Sequence, residues 1–265
     1  MRKAFDVWDD AVSIEEMERR IHDGVPLQKL RERARSYVNG LAEFFPWTLP
    51  KPEATILEVG SGLAYIMEEV LRRFHPAKIV GLDVSENMIR MAKARLSRDG
   101  MNDTRIQFMR YDGVRIPIEE NSYDYVYSVA TIQHIPKPFA YNLMGEMLRV
   151  IKPHGYVAFC VLSFSHLPVQ EKHAPFRDEQ IRQIRGHKGH WHHFYSFEEL
   201  FHVLGTGYGV RSLDIRRGGS ALWVSYSKTG KSYYHENLPE LIFQEKHLRI
   251  PKLSSYRFQF LRSNK

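Results

Sequence analysis

The residues best suited to chemistry early in this chain are Glu58, Gly60, Ser61, Gly62 and Asp83. Glu58 and the glycine pair close the apolar run Ile56, Leu57, Val59, and Asp83 ends the next apolar stretch, Lys78–Leu82. Paired glycines permit positive φ and let a ligand approach bare backbone. A carboxylate at the tip of the following strand is placed to accept hydrogen bonds from ribose hydroxyls. Between the two, Leu63, Ile66, Met67, Val70 and Leu71 recur at helical spacing. The start of that helix presents free N–H groups above the turn. Strand, glycine turn, helix, strand and acidic tip together describe half of a doubly wound α/β sheet, with a nucleoside-containing ligand at its C-terminal edge.

The details choose between ligands. The dinucleotide fingerprint requires a third glycine at position 65, which is Tyr65. Glu58-Val59-Gly60-Ser61-Gly62-Leu63-Ala64 instead resembles motif I of the class I S-adenosylmethionine (SAM) dependent methyltransferases, acid-x-G-x-G-x-G, with Ala64 in place of the last glycine. The resemblance implies that Gly60 and Gly62 let the backbone approach the methionine part of SAM, that Asp83 holds the ribose, and that Glu58 orders the loop and sets a negative field near the cationic ligand. It also implies that Val84 and Met88 pack on the adenine, and that Tyr111, Asp112 and Gly113 form the next ligand block. There Asp112 would accept from the adenine amino group. The bare reading of Asp112-Gly113 is a turn.

Ile116-Pro117-Ile118 and Asn121–Ser128 continue the resemblance, which covers roughly residues 50–227. A fourth strand, Tyr125–Val129, leads to Val129, Ala130, Thr131, Ile132, Gln133 and His134. In the family this tip faces the transferring methyl group. A neutral imidazole suits proton abstraction near pH 7, so His134 is the candidate base, with Gln133 and a histidine from 187–193 as helpers. A structural histidine holding the Ile135-Pro136 turn is the other reading. Loops of the base-amino and pyrimidine-carbon methyltransferases are missing: Val129–Ile132 is not N/D-P-P-Y, and Cys160 lies in the wrong strand for a nucleophile.

Around these residues the sequence predicts a Rossmann-like seven-stranded sheet with an antiparallel last strand. Residues 1–50 read as a helical cap or lid. Within it Ser13 to Glu16 has capping-box form, and a helix over Leu27–Phe45 buries Leu30, Ala34, Tyr37, Val38, Leu41 and Phe44. Arg31, Arg33 and Arg35 read as solvated charge, and Phe5, Trp8 and Tyr37 are the lid aromatics. Residues 51–227 form the domain, with a third strand over Arg105–Arg110, a fifth over Val157–Leu162 after the turn at His154-Gly155, and a closing pair over Val210–Ile215 and Ala221–Ser227. Residues 163–195 read as a substrate-side insertion. Its cluster His187, His190, His192, His193 lacks carboxylate or cysteine partners, so no metal is assigned.

With 43% hydrophobic and 26% charged residues in 265, the chain can build a full core. No apolar run is long enough to span a membrane, the N-terminus lacks a signal-peptide core, and the single cysteine excludes an internal disulfide. A cytoplasmic protein is expected. The net charge of +7 fits either solubility or an anionic partner. Residues 228–265 carry eight Lys/Arg against three acids, interleaved with aromatics. Such a tail packs on the domain or binds nucleic acid. The resulting expectation is methyl transfer from SAM to O or N of a small-molecule acceptor. A tRNA wobble-uridine-type RNA methyltransferase and a non-catalytic SAM-binding module are the alternatives.

Overall fold

A computed structural model describes residues 13–21, 27–164 and 192–229. In chain order the elements are α1 (Ile14–Ile21), α2 (Leu27–Phe44), β1 (Thr55–Val59), α3 (Tyr65–Phe74), β2 (Lys78–Asp83), α4 (Glu86–Arg98), β3 (Ile106–Arg110), β4 (Tyr123–Ser128), a 3₁₀ turn (Ile132–His134), α5 (Lys137–Val150), β5 (Ile151–Ser163), β6 (Phe194–Tyr195), α6 (Phe197–Phe201), a π-helical turn (His202–Gly207), β7 (Ser212–Gly218) and β8 (Ala221–Ser227). They form one sheet in the order β3-β2-β1-β4-β5-β8-β7, with β6 paired to β5 as an eighth strand. β8 runs antiparallel to both β5 and β7, whereas the other pairings are parallel.

The central strands are buried on both faces, which is why they read as unbroken apolar runs. Alternation sends Ile56 of β1 and Tyr125 and Tyr127 of β4 to one face, where Val38 and Leu41 of α2, Met67 and Val70 of α3, and Ala92 and Leu96 of α4 complete a core. The opposite face packs on α5, where the Tyr226 hydroxyl donates to the Met144 carbonyl (2.7 Å). α2 keeps the predicted face, with Leu30, Ala34, Val38 and Leu41 fully buried. Ser13 accepts from the Glu16 N–H (3.1 Å), and Ser196 with Glu199 forms a complete capping box at α6.

Several boundaries differ from the sequence reading. β5 starts at Ile151 rather than Val157, because residues 152–155 bulge out opposite a single β4 residue, Asp124. Asp124 holds that bulge by accepting from Lys152 Nζ (2.8 Å) and from the Thr55 N–H (2.8 Å) and hydroxyl (2.7 Å). Gly155 sits where a Cβ would lie 2.5 Å from the Asp124 carbonyl oxygen, so the backbones meet there directly. β3 begins at Ile106, and β7 extends through Arg216 and Arg217, leaving the turn at Gly219-Ser220. The sheet gains β6 over the predicted seven strands. Phe5, Trp8, most of the 163–195 segment and residues 230–265 lie outside the described residues. No helix among those described is long and apolar enough to cross a membrane.

Candidate active site

The glycine turn is strapped to β2. The N–H groups of Gly60 and Ser61 both donate to the Leu82 carbonyl (2.7 and 3.1 Å), and Gly62 N–H donates to Asp83 Oδ2 (3.0 Å). The Ala64 N–H closes back on the Ser61 carbonyl (2.8 Å). The expected row of free N–H donors in the turn is therefore largely used up by the fold itself. α3 then starts at Tyr65, two residues after the first apolar position of the helical spacing, Leu63, and has no side-chain cap. Asp83 also accepts from Ser85 N–H at Oδ1 (3.0 Å), and Ser85 in turn caps α4 by accepting from Met88 N–H.

Gly60 has φ +78°, and a Cβ on it would lie 2.7 Å from Cβ of Thr131. The Thr131 hydroxyl reaches the carbonyls of Gly60 (3.1 Å) and Val129 (3.2 Å). Ser128 donates to the Val59 carbonyl (2.8 Å). The tips of β1 and β4 are thereby locked side by side, although far apart in sequence.

These tips open into one cavity. Glu58, Gly60, Ser61, Gly62 and Asp83 line its inner end. Val84, Met88 and Tyr111 form an apolar wall, and Val129, Ala130 and His134 the wall above β4. Leu30, Arg33, Ala34 and Tyr37 of α2 close the remaining side. Glu58 is 1% exposed and its Oε2 has no hydrogen-bond partner among the described residues, and neither has the buried Ser61 hydroxyl. Burial pushes the Glu58 carboxyl well above the usual carboxylate range; the Tyr127 hydroxyl opposes this and the Asp83 charge adds to it.

Asp112 and Gly113 stand outside the cavity wall. Asp112 is exposed, and its Oδ1 accepts from the N–H groups of Val114 and Arg115 (2.8 Å each), which lowers its pKa and makes it a turn-forming residue. Gln133 is also absent from the wall; its carbonyl accepts from His193 N–H (2.7 Å) and so pins the returning chain to the β4 tip. That contact brings the His192 ring to 4.8 Å from the His134 ring. Cys160 is buried, and burial pushes its thiol up to about 11, as befits a core residue rather than a nucleophile. No metal-binding cluster occurs among the described residues.

Among the wall residues that the sequence does not mark for the cavity are Arg33 and Tyr65. Arg33 was read as surface charge; its neighbours Arg31 and Arg35 do turn outward, to Asp99 (2.8 Å) and Glu69 (3.7 Å), whereas Arg33 reaches the cavity. Tyr65 was used only to exclude a dinucleotide. Its position at the cavity follows from the helix starting immediately after Ala64, which no periodicity argument resolves.

The residues present fit a SAM-shaped occupant: a glycine cradle, an acid on the second strand tip, an apolar slot beside it and a buried carboxyl with one oxygen unpaired among the described residues. Comparison with known proteins agrees. Residues 56–155 match the family model described as a methyltransferase domain. Malonyl-[acyl-carrier protein] O-methyltransferase of Marinomonas sp. is 33% identical over 121 residues, covering 45% of this chain and 43% of the relative. Phosphoethanolamine N-methyltransferase 2 of Caenorhabditis elegans is 34% identical over 107 residues, covering 40% and 23%. The chain thus spans less than half the length of either relative. A SAM-dependent methyltransferase structure from Aquifex aeolicus superposes with a TM-score of 0.53 at 19% identity, over 76% of this chain and 98% of that one, and shares the fold. The sheet order and the glycine turn agree with the matched segment: residues 56–155 match a methyltransferase domain, on a sheet whose fold is shared with a SAM-dependent methyltransferase structure.

Proposed function

We propose that the protein transfers the methyl group of SAM to oxygen or nitrogen of a small-molecule acceptor and releases S-adenosylhomocysteine (SAH). The observation that carries this reading is the single cavity that collects Glu58, the glycine turn, Asp83 and His134 from three different strand tips. Relatives named for an oxygen acceptor and for a nitrogen acceptor support the same chemical range.

SAM supplies an already activated sulfonium methyl group. What remains for the protein is orientation, which can be worth about 7–11 kcal/mol when two reactants are held in line. Asp83, at the tip of β2 and on the cavity wall, faces the ribose hydroxyls. Val84, Met88 and Tyr111 give the adenine an apolar slot, and Glu58 and Ser61 offer buried polar atoms to the amino-acid end. The backbone of Gly60 and Gly62 leaves room there. Above β4, His134 takes the acceptor proton, steadied by His192 against its ring and by the Gln133–His193 contact behind it. Tyr37 and Arg33 of α2 close the cavity over the acceptor and exclude water.

Calorimetric titration with SAM and SAH, followed by SAH release measured over a panel of hydroxyl and amine acceptors, tests the proposal. Binding of both ligands with turnover on a member of the panel is expected. No heat with either ligand at high concentration removes the proposal's foundation.

A further inference from the structure

The junction of α1, α3 and α4 contains a polar relay unusual for a core. Arg95 of α4 is wholly buried. Its Nε donates to the Leu63 carbonyl (3.1 Å), inside the glycine turn. Its Nη1 pairs with Glu68 of α3 and with Asp99 (3.3 Å), and its guanidinium lies 4.3 Å above the centre of the Tyr65 ring. Tyr65 lines the cavity on one side. On the other, its hydroxyl donates to Glu18 of α1 (2.5 Å). Arg98 then grips Glu18 (3.1 Å) and Glu15 (3.4 Å), while Asp99 receives Arg31 of α2 (2.8 Å). Both cap helices are therefore latched to the end of α4, and α4 reaches the glycine turn through one arginine.

A buried arginine is expensive to desolvate, and removing one partner of such a network costs more than the pair contributes. Hydrophobic side chains could close this junction more cheaply. Charge placed here instead makes three separate contacts depend on one another: the Leu63 carbonyl, the Tyr65 ring and the docking of α1. Among the described residues of the relay, the Tyr65 side chain lines the cavity and also bonds α1. Displacing α1 takes away the acceptor of the Tyr65 hydroxyl, and the ring that stacks under Arg95 loses its fixed position.

We infer that Arg95 and Tyr65 are positioning residues for the methyl donor's site, through which the cap helix α1 and the glycine turn act as one unit. The inference rests on SAM and SAH occupying the cavity. Filling the cavity holds the Tyr65 ring and so tightens α1; loosening α1 weakens the ligand's hold.

The test uses the full chain, SAH as the probe, and Tyr65→Phe and Glu18→Gln, which remove one hydroxyl and one charge without opening a cavity. SAH titration of the wild type comes first; absence of binding there defeats the functional proposal itself. Given binding, each single variant is expected to weaken SAH about 3- to 10-fold, the worth of one hydrogen bond. The double variant should be no weaker than the worse single one, because both cut the same link. In hydrogen exchange, SAH should protect the amides of residues 14–21 in the wild type and not in Tyr65→Phe. Arg95→Lys keeps the charge but loses the planar stack, and should also weaken SAH. Wild-type SAH affinity in Tyr65→Phe, additive losses in the double variant, or α1 protection that ignores SAH would each overturn the inference.

Discussion

At the inner end of the cavity the main chain does the shaping, and at the outer end side chains do. Gly60, Ser61 and Gly62 are tied to β2 by their own N–H groups, and Asp83 is fixed by two backbone donors. The outer end is assembled from Tyr37 and Arg33 of α2, His134 after β4, and His192 arriving from beyond β5. An end built from backbone can serve many acceptors without change, while one built from side chains of separate segments can be altered a residue at a time. The matched segment, 56–155, contains the whole inner end and His134 of the outer one, and relatives matched there are named for different acceptors.

The sharpest way to separate the two ends is His134→Ala. If His134 is the base, kcat falls by about 10²–10⁴-fold, while SAH affinity by calorimetry stays at the wild-type value, because the glycine turn is strapped to Leu82 and Asp83. A parallel fall in SAH affinity and melting temperature would instead make His134 a structural residue of the β4 tip. The converse change is Gly60→Ala. It forces a Cβ against Thr131 at positive φ, and should cost about 2–5 kcal/mol from overpacking and backbone strain together. Thermal unfolding and SAH titration should both register it, the reverse of the His134 pattern.

The same division explains what could be read in advance. The glycine turn, Asp83, the buried runs of β1, β2 and β4 and the helical cap were legible, because each is a local pattern of residue types. Residues 152–155 could not be placed, since the bulge exists only where Asp124 of another strand meets Gly155. Asp112, a ligand residue by its register after β3, has one carboxylate oxygen held by two N–H groups just beyond it, a contact its neighbours' types do not announce. The Arg95 relay joins residues up to 83 positions apart (Glu15 to Arg98), and no spacing rule brings them together. Arg33 differs from Arg31 and Arg35 only in which way a helix face turns.

Glu58 gives a test by pH that belongs to the inner end alone. It faces Asp83 and Tyr127, and shares the cavity with Arg33, His134, Tyr37, Tyr65 and Tyr111. Its folded pKa lies above the unfolded value. Its contribution to stability is therefore full below the unfolded value and is lost as pH rises through the folded one. SAM, carrying a sulfonium charge, favours the ionised carboxylate. Wild-type SAM affinity should thus rise with pH, by about tenfold per unit at most where Glu58 titrates, and SAM should show this more than SAH. Glu58→Gln should flatten the profile and stabilise the ligand-free protein toward alkaline pH. Loss of the His134 proton also favours a cation, so an unchanged slope in Glu58→Gln would transfer the effect to His134.

The smallest effect is expected at Ala64, where this chain departs from the family's third glycine. Ala64 is fully buried and adopts the left-handed conformation, φ 65° and ψ 23°, at the cap of α3. Ala64→Gly should recover about 1–2 kcal/mol of backbone strain. Against this, it gives up one buried methyl, about 0.8 kcal/mol, and adds about 0.4–1 kcal/mol of unfolded-chain entropy. The terms nearly cancel, so stability by denaturant titration should shift by less than about 1 kcal/mol, with SAH affinity unchanged. The turn's straps to Leu82 and Asp83 are all main-chain or Asp83 contacts and do not involve the Ala64 side chain. A loss well beyond that range would show that the methyl is a packing element between α2 and α3 and that the chain has traded strain for core. A comparable gain would show that the strain goes uncompensated, and the inner end would then be less rigidly set by its backbone than its hydrogen bonds indicate.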